Sequence, residues 1–165
     1  MARAVFSDQE GRSWSATINV KVAKRLKERL GLDVMTAFEG KLFSQLAGDP
    51  ILLGDTLYVV CQEQAAERGI TDEQFGELLA GDTIERATDA LIEGLVDFFP
   101  GARRQILGKV WTKQKQADGQ VAQAAIKRID SSAMDQLIQQ AVSEVESELD
   151  LAMKFGAGFG DPLAQ

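Results

Sequence analysis

The chain of 165 residues is long enough for one domain with a single hydrophobic core, and 45% of its residues are hydrophobic. Its single cysteine and its lack of histidine exclude an internal disulfide, a Cys/His zinc site and any catalysis that depends on imidazole. The net charge of −7 argues against general affinity for nucleic acid or anionic membranes. These properties favour an acidic, helical interaction module without a cofactor over an enzyme.

Neither a secretory signal nor a membrane span is expected. The first ten residues, MARAVFSDQE, lack a basic start followed by an apolar run, and no stretch approaches the ~18 apolar residues of a membrane helix. We therefore expect a cytoplasmic protein. The charge is unevenly distributed, with 14 acidic and 3 basic residues in the segment 33–98 but 5 basic and no acidic residues in the segment 99–116.

The beginning of the chain predicts a β-hairpin. The strand-like runs 4–6 and 13–18 are separated by the polar, turn-prone residues 8–11. Alternating apolar side chains of the second run share one face: Trp14, Ala16 and Ile18. Because a two-stranded hairpin is marginally stable alone, we expect this face to pack on the helices that follow.

Helical spacing and capping residues predict about five helices after the hairpin. Asn19 is expected to cap the first, which ends at Gly31, and a turn of helix is expected around residues 41–46. Asp49, followed by a proline, is expected to cap a long and largely buried helix that runs to about Arg68.

Two further helix starts show capping patterns. Thr71 and Gln74 form a capping box before a short helix, and Asp82 with Glu85 repeats the pattern before a longer helix that Pro100 ends. The predicted fold class is therefore mainly α (α+β), with an N-terminal β-hairpin packed on a helical domain and followed by an amphipathic helical extension.

A change in composition after Pro100 marks the start of this extension. A basic helix is expected to break at residues 117–119 (ADG), and an amphipathic helix is expected after Ser132. The predicted domains are residues 1–100 for the hairpin and helical core, 101–155 for the extension, and 156–165 for a flexible glycine-rich tail.

Three features could indicate catalysis or ligand binding, but each has a simpler interpretation. The carboxylates between Asp82 and Glu93 lie near one helix face, yet helical di-metal sites normally add histidine ligands, so we expect a solvated face. Cys61 has apolar neighbours and is expected to be a packed, inert thiol. The glycines of residues 156–160 precede no helix that could bind a phosphate. No metal site or catalytic residue is predicted.

A basic segment surrounds Trp111 in the extension. It could grip a nucleic-acid backbone, but the chain is acidic overall, and we expect the segment to pair with acidic residues of its own chain or of a neighbouring subunit, or to be solvated. The residues expected to make electrostatic contacts are Arg103, Arg104, Lys109 and Lys113.

The last predicted helix carries an apolar stripe beyond the predicted core. Its members recur at helical spacing: Met134, Leu137, Ile138, Ala141, Val142, Val145 and Leu149. We expect an apolar stripe of this kind to be covered by another part of the protein or by a partner. It either docks on the N-terminal domain or binds another chain, as a surface for a client helix or for self-association.

Several segments together resemble the tail assembly chaperone-like proteins of long-tailed phages and prophages. The resemblance covers roughly the first hundred residues and contains no catalytic motif. The segments that carry it are 5–14 (VFSDQEGRSW), 23–26 (AKRL), 31–34 (GLDV), 46–50 (LAGDP), 57–61 (LYVVC) and 97–100 (DFFP).

This resemblance implies a role during tail building. Such proteins are small and cytoplasmic, and they bind the long, aggregation-prone tape measure protein until tube subunits polymerise around it. It implies the tape measure protein and the tail tube protein as partners, the host cytoplasm as location, and absence from the finished particle. Family members often exist in a short and a longer frameshifted form, and this chain would correspond to the short one. The alternative is a structural virion protein of the tail or neck.

Overall fold

The computed structural model describes residues 4–156, and it confirms a mainly α protein with an N-terminal β-hairpin. Strands β1 (Val5–Ser7) and β2 (Ser13–Ser15) pair antiparallel, with Phe6 opposite Trp14. Beyond the hairpin the elements are α1 (Val20–Leu30), a 3-10 helix (Val34–Glu39), α2 (Lys41–Gly48), α3 (Pro50–Glu67), α4 (Asp72–Glu77), α5 (Asp82–Phe98), α6 (Gly101–Ile129) and α7 (Ser132–Gly156).

The hairpin packs its predicted inner face on the helices. Trp14, Ala16 and Ile18 are all buried, and the Trp14 ring meets Phe75 of α4 edge to face with ring centroids 4.9 Å apart. Strand β1 contacts α5, and strand β2 contacts α3. Helix α3 is the central helix of the core, since apolar side chains around most of its circumference are buried.

Gly94 of α5 lies directly against the backbone of Ala16, which follows strand β2. A Cβ atom built on Gly94 would lie 2.0 Å from the carbonyl oxygen of Ala16 and 3.2 Å from its carbonyl carbon. Any side chain at this position would therefore collide with backbone, which cannot rotate away as a flexible side chain can. The missing side chain of Gly94 is what allows the hairpin to lie against α5.

Most of the predicted helix ends are confirmed. The Asn19 side chain accepts a hydrogen bond from the backbone N–H of Val22, and Gly31 ends α1 with φ of 65°. The capping box of Thr71 and Gln74 has both of its hydrogen bonds. The cap predicted at Asp82 is wrong: Gly81 occupies the N-cap position without a side-chain hydrogen bond, and its φ of 56° places Asp82 inside the first turn of α5.

The segment after α1 contains a helix that the sequence patterns do not reveal. The 3-10 helix Val34–Glu39 begins at Asp33, whose carboxylate accepts a hydrogen bond from the backbone N–H of Met35. The same carboxylate pairs with Lys27 at 2.8 Å. A run of six residues is too short to show a helical period, which explains why only the following helix α2 is predictable here.

The break predicted at residues 117–119 is wrong, because α6 runs without interruption from Gly101 to Ile129. One glycine inside a helix costs only about 1 kcal/mol relative to alanine, and the neighbouring alanine and glutamine residues are good helix formers. Within α6 the division between two compact units falls after Lys115, whereas we predicted the core domain to end at residue 100. Leu107 explains the difference, since it is buried in the core of the first unit.

The second unit begins at Gln116 and contains the end of α6 and all of α7. A short link joins these helices, in which the backbone N–H of Asp130 still bonds to the carbonyl of Ile126. Ser131 then caps the N-terminus of α7, because its hydroxyl and its carbonyl both accept a hydrogen bond from the backbone N–H of Met134. Of the predicted glycine-rich tail, Gly156 is the last residue of α7, and residues 157–165 lie outside the described part of the chain.

Asp8 holds the turn of the hairpin through a buried carboxylate. It accepts hydrogen bonds from the indole Nε1 of Trp14, the backbone N–H of Glu10, and both the backbone N–H and Nε of Arg12, each at 2.9 Å. Burial raises the pKa of this carboxyl, but the bonds from Trp14 and Arg12 outweigh that effect, so the pKa lies below its ordinary value of 3.8.

Replacing Asp8 with asparagine is expected to lower the free energy of unfolding by about 1–2 kcal/mol, because the ion pair is lost and the amide turns N–H groups toward other donors. A depressed carboxyl pKa stabilises the fold above the ordinary pKa of 3.8, and this stabilisation disappears as the pH falls below it. Lowering the pH from about 5 to about 3 should therefore reduce the free energy of unfolding of Asp8→Asn less than that of the wild type, as measured by chemical denaturation at each pH. Equal losses of stability in the two proteins would contradict this role.

Candidate functional site

The predicted apolar stripe lies on α7 and is open to solvent over nearly its whole length. The five branched members, Leu137, Ile138, Val142, Val145 and Leu149, expose between 51% and 61% of their surface. Ala141 is exposed as well, and Met134 is half-buried. No residue of α7 is buried, although the helix has 25 residues. The stripe is therefore an exposed surface and not part of the hydrophobic core.

Helix α7 owes its formation to local sequence. Ser131 caps it, Asp135 lies in its first turn and Lys154 in its last, where each favours the helix dipole. The remaining polar positions are glutamine, glutamate and serine, together with Asp150. Because no residue of α7 is buried, local interactions of this kind have to stabilise the helix, and such a helix is marginal in water. An added partner helix would stabilise such an element by covering its stripe.

The structure extends the apolar surface beyond the predicted stripe. Further exposed apolar side chains lie on α7 beyond the C-terminal end of the stripe and on the last part of α6: Leu151, Met153 and Phe155, and Val121, Ile126 and Ile129. Phe155, in the last turn of α7, exposes 75% of its surface. Helical spacing contained the signal for Met153 and Phe155, but the glycine-rich sequence that follows them suggested a tail.

The four residues of α6 predicted to make electrostatic contacts belong to the first unit. Two of them, Arg104 and Arg103, contact other residues of that unit. Arg104 donates to the backbone carbonyl of Phe99 at 3.1 Å and lies 3.7 Å from the carboxylate of Asp97. The Arg103 guanidinium lies 5.6 Å from the ring centroid of Phe38. Lys109 and Lys113 are exposed and form no ion pair with any residue in the described range 4–156.

The carboxylates of α5 also have a local explanation. Asp89 pairs with Lys115 of α6 at 2.6 Å. Among residues 4–156, no three acidic or cysteine side chains come together as a metal site would require. The acidic face of α5 is thus partly neutralised by the basic segment of α6.

Cys61 is a packed thiol. It lies fully buried in α3, and its Sγ is 3.6 Å from the carbonyl oxygen of Ser15. Burial raises the pKa of the thiol to about 12, against a smaller opposite effect of the Arg68 charge. A thiol that stays protonated and inaccessible does not act as a nucleophile.

The surface of the first unit includes clefts between neighbouring helices. One of about 370 Å³ lies between α3 and α4, with Ile51 and Leu79 among its apolar residues and Asp55 and Asp72 among its acidic ones. Another, of about 390 Å³, lies between α5 and α6 beside Trp111. Within residues 4–156, no helix has both the length and the apolar character of a membrane span.

The comparisons with known proteins return no relative. The chain matches no protein-family model, and no curated protein and no solved structure matches it.

Proposed function

We propose that this protein is a tail assembly chaperone-like protein that binds the phage tape measure protein and keeps it soluble in the host cytoplasm, without catalysis. The observation that carries the proposal is the exposed apolar stripe on α7, a helix without a single buried residue. A tape measure protein is a long helical client with apolar surface of its own. Two amphipathic helices that lay their stripes together remove both from water.

The first unit supports this role because it has a hydrophobic core of its own. That core is built from the hairpin, from α1 to α5 with the segments between them, and from Leu107 of α6, and it includes no residue of α7. The net charge of −7 keeps a loaded complex soluble through repulsion between complexes. The sequence resemblance supports the identity of the client, and it supports the tail tube protein as the partner that takes the client over.

Co-expression with the tape measure protein tests the proposal directly. We expect this protein to raise the soluble fraction of the client severalfold and to co-purify with it. An insoluble client in the presence of well-folded protein would refute the proposal.

The second candidate is a structural protein of the tail or neck, for which α7 would form permanent subunit contacts. The same exposed stripe favours it, because a protomer built for assembly also leaves apolar surface open before it assembles. Purified particles separate the two functions. The chaperone is expected to be absent from them, whereas a structural protein is present in many copies.

A further inference from the structure

The charged residues of α7 are not spread evenly over its polar surface. At about 100° per residue, a position directly after a stripe residue lies on one border of the stripe and a position directly before it lies on the other. Asp135 and Glu146 follow Met134 and Val145, whereas Glu144 and Glu148 precede Val145 and Leu149. Carboxylates therefore line both borders of the stripe, and all of them are exposed.

The opposite face of α7 has a different character. Its central positions carry one anion and one cation, Asp150 and Lys154, and are otherwise uncharged: Gln136, Gln140, Ser143 and Ser147. A helix that needed charge only for solubility would carry it on this face, farthest from the stripe. Placing the carboxylates beside the stripe instead puts them within reach of whatever covers it.

On the basis of the function proposed above, we infer that the α7 stripe binds an amphipathic helix whose own apolar stripe is bordered by lysine or arginine. Basic borders would meet the carboxylates on both sides while the two stripes close on each other. Met134 and Leu149 are 15 residues apart, so the contact spans about 22 Å, or about four turns of the partner. If α7 of a second copy covered the stripe, the carboxylates of the two helices would lie side by side and repel each other. This repulsion disfavours self-association through the stripe.

Two synthetic helical peptides test this inference. Both carry the same leucine stripe, and their border positions are lysine in one and glutamate in the other. By fluorescence anisotropy at low salt we expect the full-length protein to bind the lysine-bordered peptide at least about tenfold more tightly, since several exposed charge pairs each add a small factor. The difference should shrink at about 1 M salt, where the screening length falls to about 3 Å.

A charge-reversed protein provides the second arm. Changing Glu144, Glu146 and Glu148 to lysine should reverse the preference between the two peptides. A control carries Gln136→Lys, Gln140→Lys and Ser147→Lys on the opposite face. Three neutral residues become lysine here, so the net charge of α7 rises by 3 × 1 = 3, against 3 × 2 = 6 in the charge-reversed protein, and the control should keep the original preference. Equal binding of the two peptides, or the same shift in both triple variants, would overturn the inference.

Other occupants of the stripe give distinct results, and each overturns the inference. If neither peptide binds and the protein sediments as a dimer that Leu137→Asp dissociates, a second copy covers the stripe. If neither binds, the protein is monomeric and Leu137→Asp lowers the melting temperature of the core, the stripe packs on its own domain. The proposed function can fail separately from this inference. If the protein rescues the client but binds both peptides equally, only the inference is wrong. If the protein prefers the lysine-bordered peptide but does not rescue the client, only the proposed function is wrong.

Discussion

Changing both Leu137 and Val142 to aspartate is expected to abolish rescue of the tape measure protein. The two side chains lie on the stripe at a spacing of five residues, and both are more than half exposed. Buried in a complex, two unpaired carboxylates would cost more than the apolar contact they replace provides. In co-expression, the soluble client should fall to the level seen without any chaperone, while the melting temperature of the first unit stays unchanged.

A matched control isolates the stripe from the charge. Gln136→Asp with Ser143→Asp adds the same two carboxylates at positions next to the first pair but on the opposite face of α7, and client rescue should persist. If the control also loses rescue, added charge or weakened helicity explains the effect and the stripe has no special role. If the stripe variant lowers the stability of the core, the stripe packs on the protein's own domain.

Replacing Gly94 with alanine is expected to have the largest effect on the stability of the fold. The new Cβ would lie 2.0 Å from the backbone oxygen of Ala16, so either the hairpin or α5 has to move. Overpacking of this kind costs about 3 kcal/mol, more than the roughly 1 kcal/mol that alanine adds through its helix propensity. Urea unfolding followed through the fluorescence of the buried Trp14 measures the loss.

Gly54 provides the control for this prediction. It also lies inside a helix of the first unit, but a Cβ there would meet only the Leu79 side chain at 3.9 Å, an ordinary contact. Gly54→Ala should therefore leave stability unchanged or raise it by up to about 1 kcal/mol. Equal stability of Gly94→Ala and Gly54→Ala would show that the hairpin does not lie against α5 as described.

Local chemistry made a large part of this fold predictable. The caps at Asn19 and Thr71 and the alternation around Trp14 act within a few residues, and the structure confirms each of them. A prediction failed where the local signal is weak, because the single glycine at residues 117–119 does not interrupt α6. The burial of Leu107, which lies beyond the predicted boundary at residue 100, depends on contacts with distant residues and has no local signal.

The stripe on α7 was predictable as a pattern but not as a surface. The helical spacing of the seven stripe residues places Leu137 and Val142 at the two edges of one apolar face, and the same pattern occurs in helices that are buried. The two cases differ in burial, and in this protein both side chains are exposed. The approach of Gly94 to Ala16 was invisible for a related reason, because sequence spacing does not reveal which backbones meet across 78 residues.

Hydrogen exchange of the protein alone and in complex with the tape measure protein tests the central claim most directly. In the free protein, amides of the exposed helix α7 should exchange quickly, whereas those of the core around Trp14 exchange slowly. In the complex, we expect new protection across residues 132–156 and little change in residues 4–115. Protection confined to residues 4–115, with α7 exchanging as fast as in the free protein, would contradict the assignment of client binding to α7.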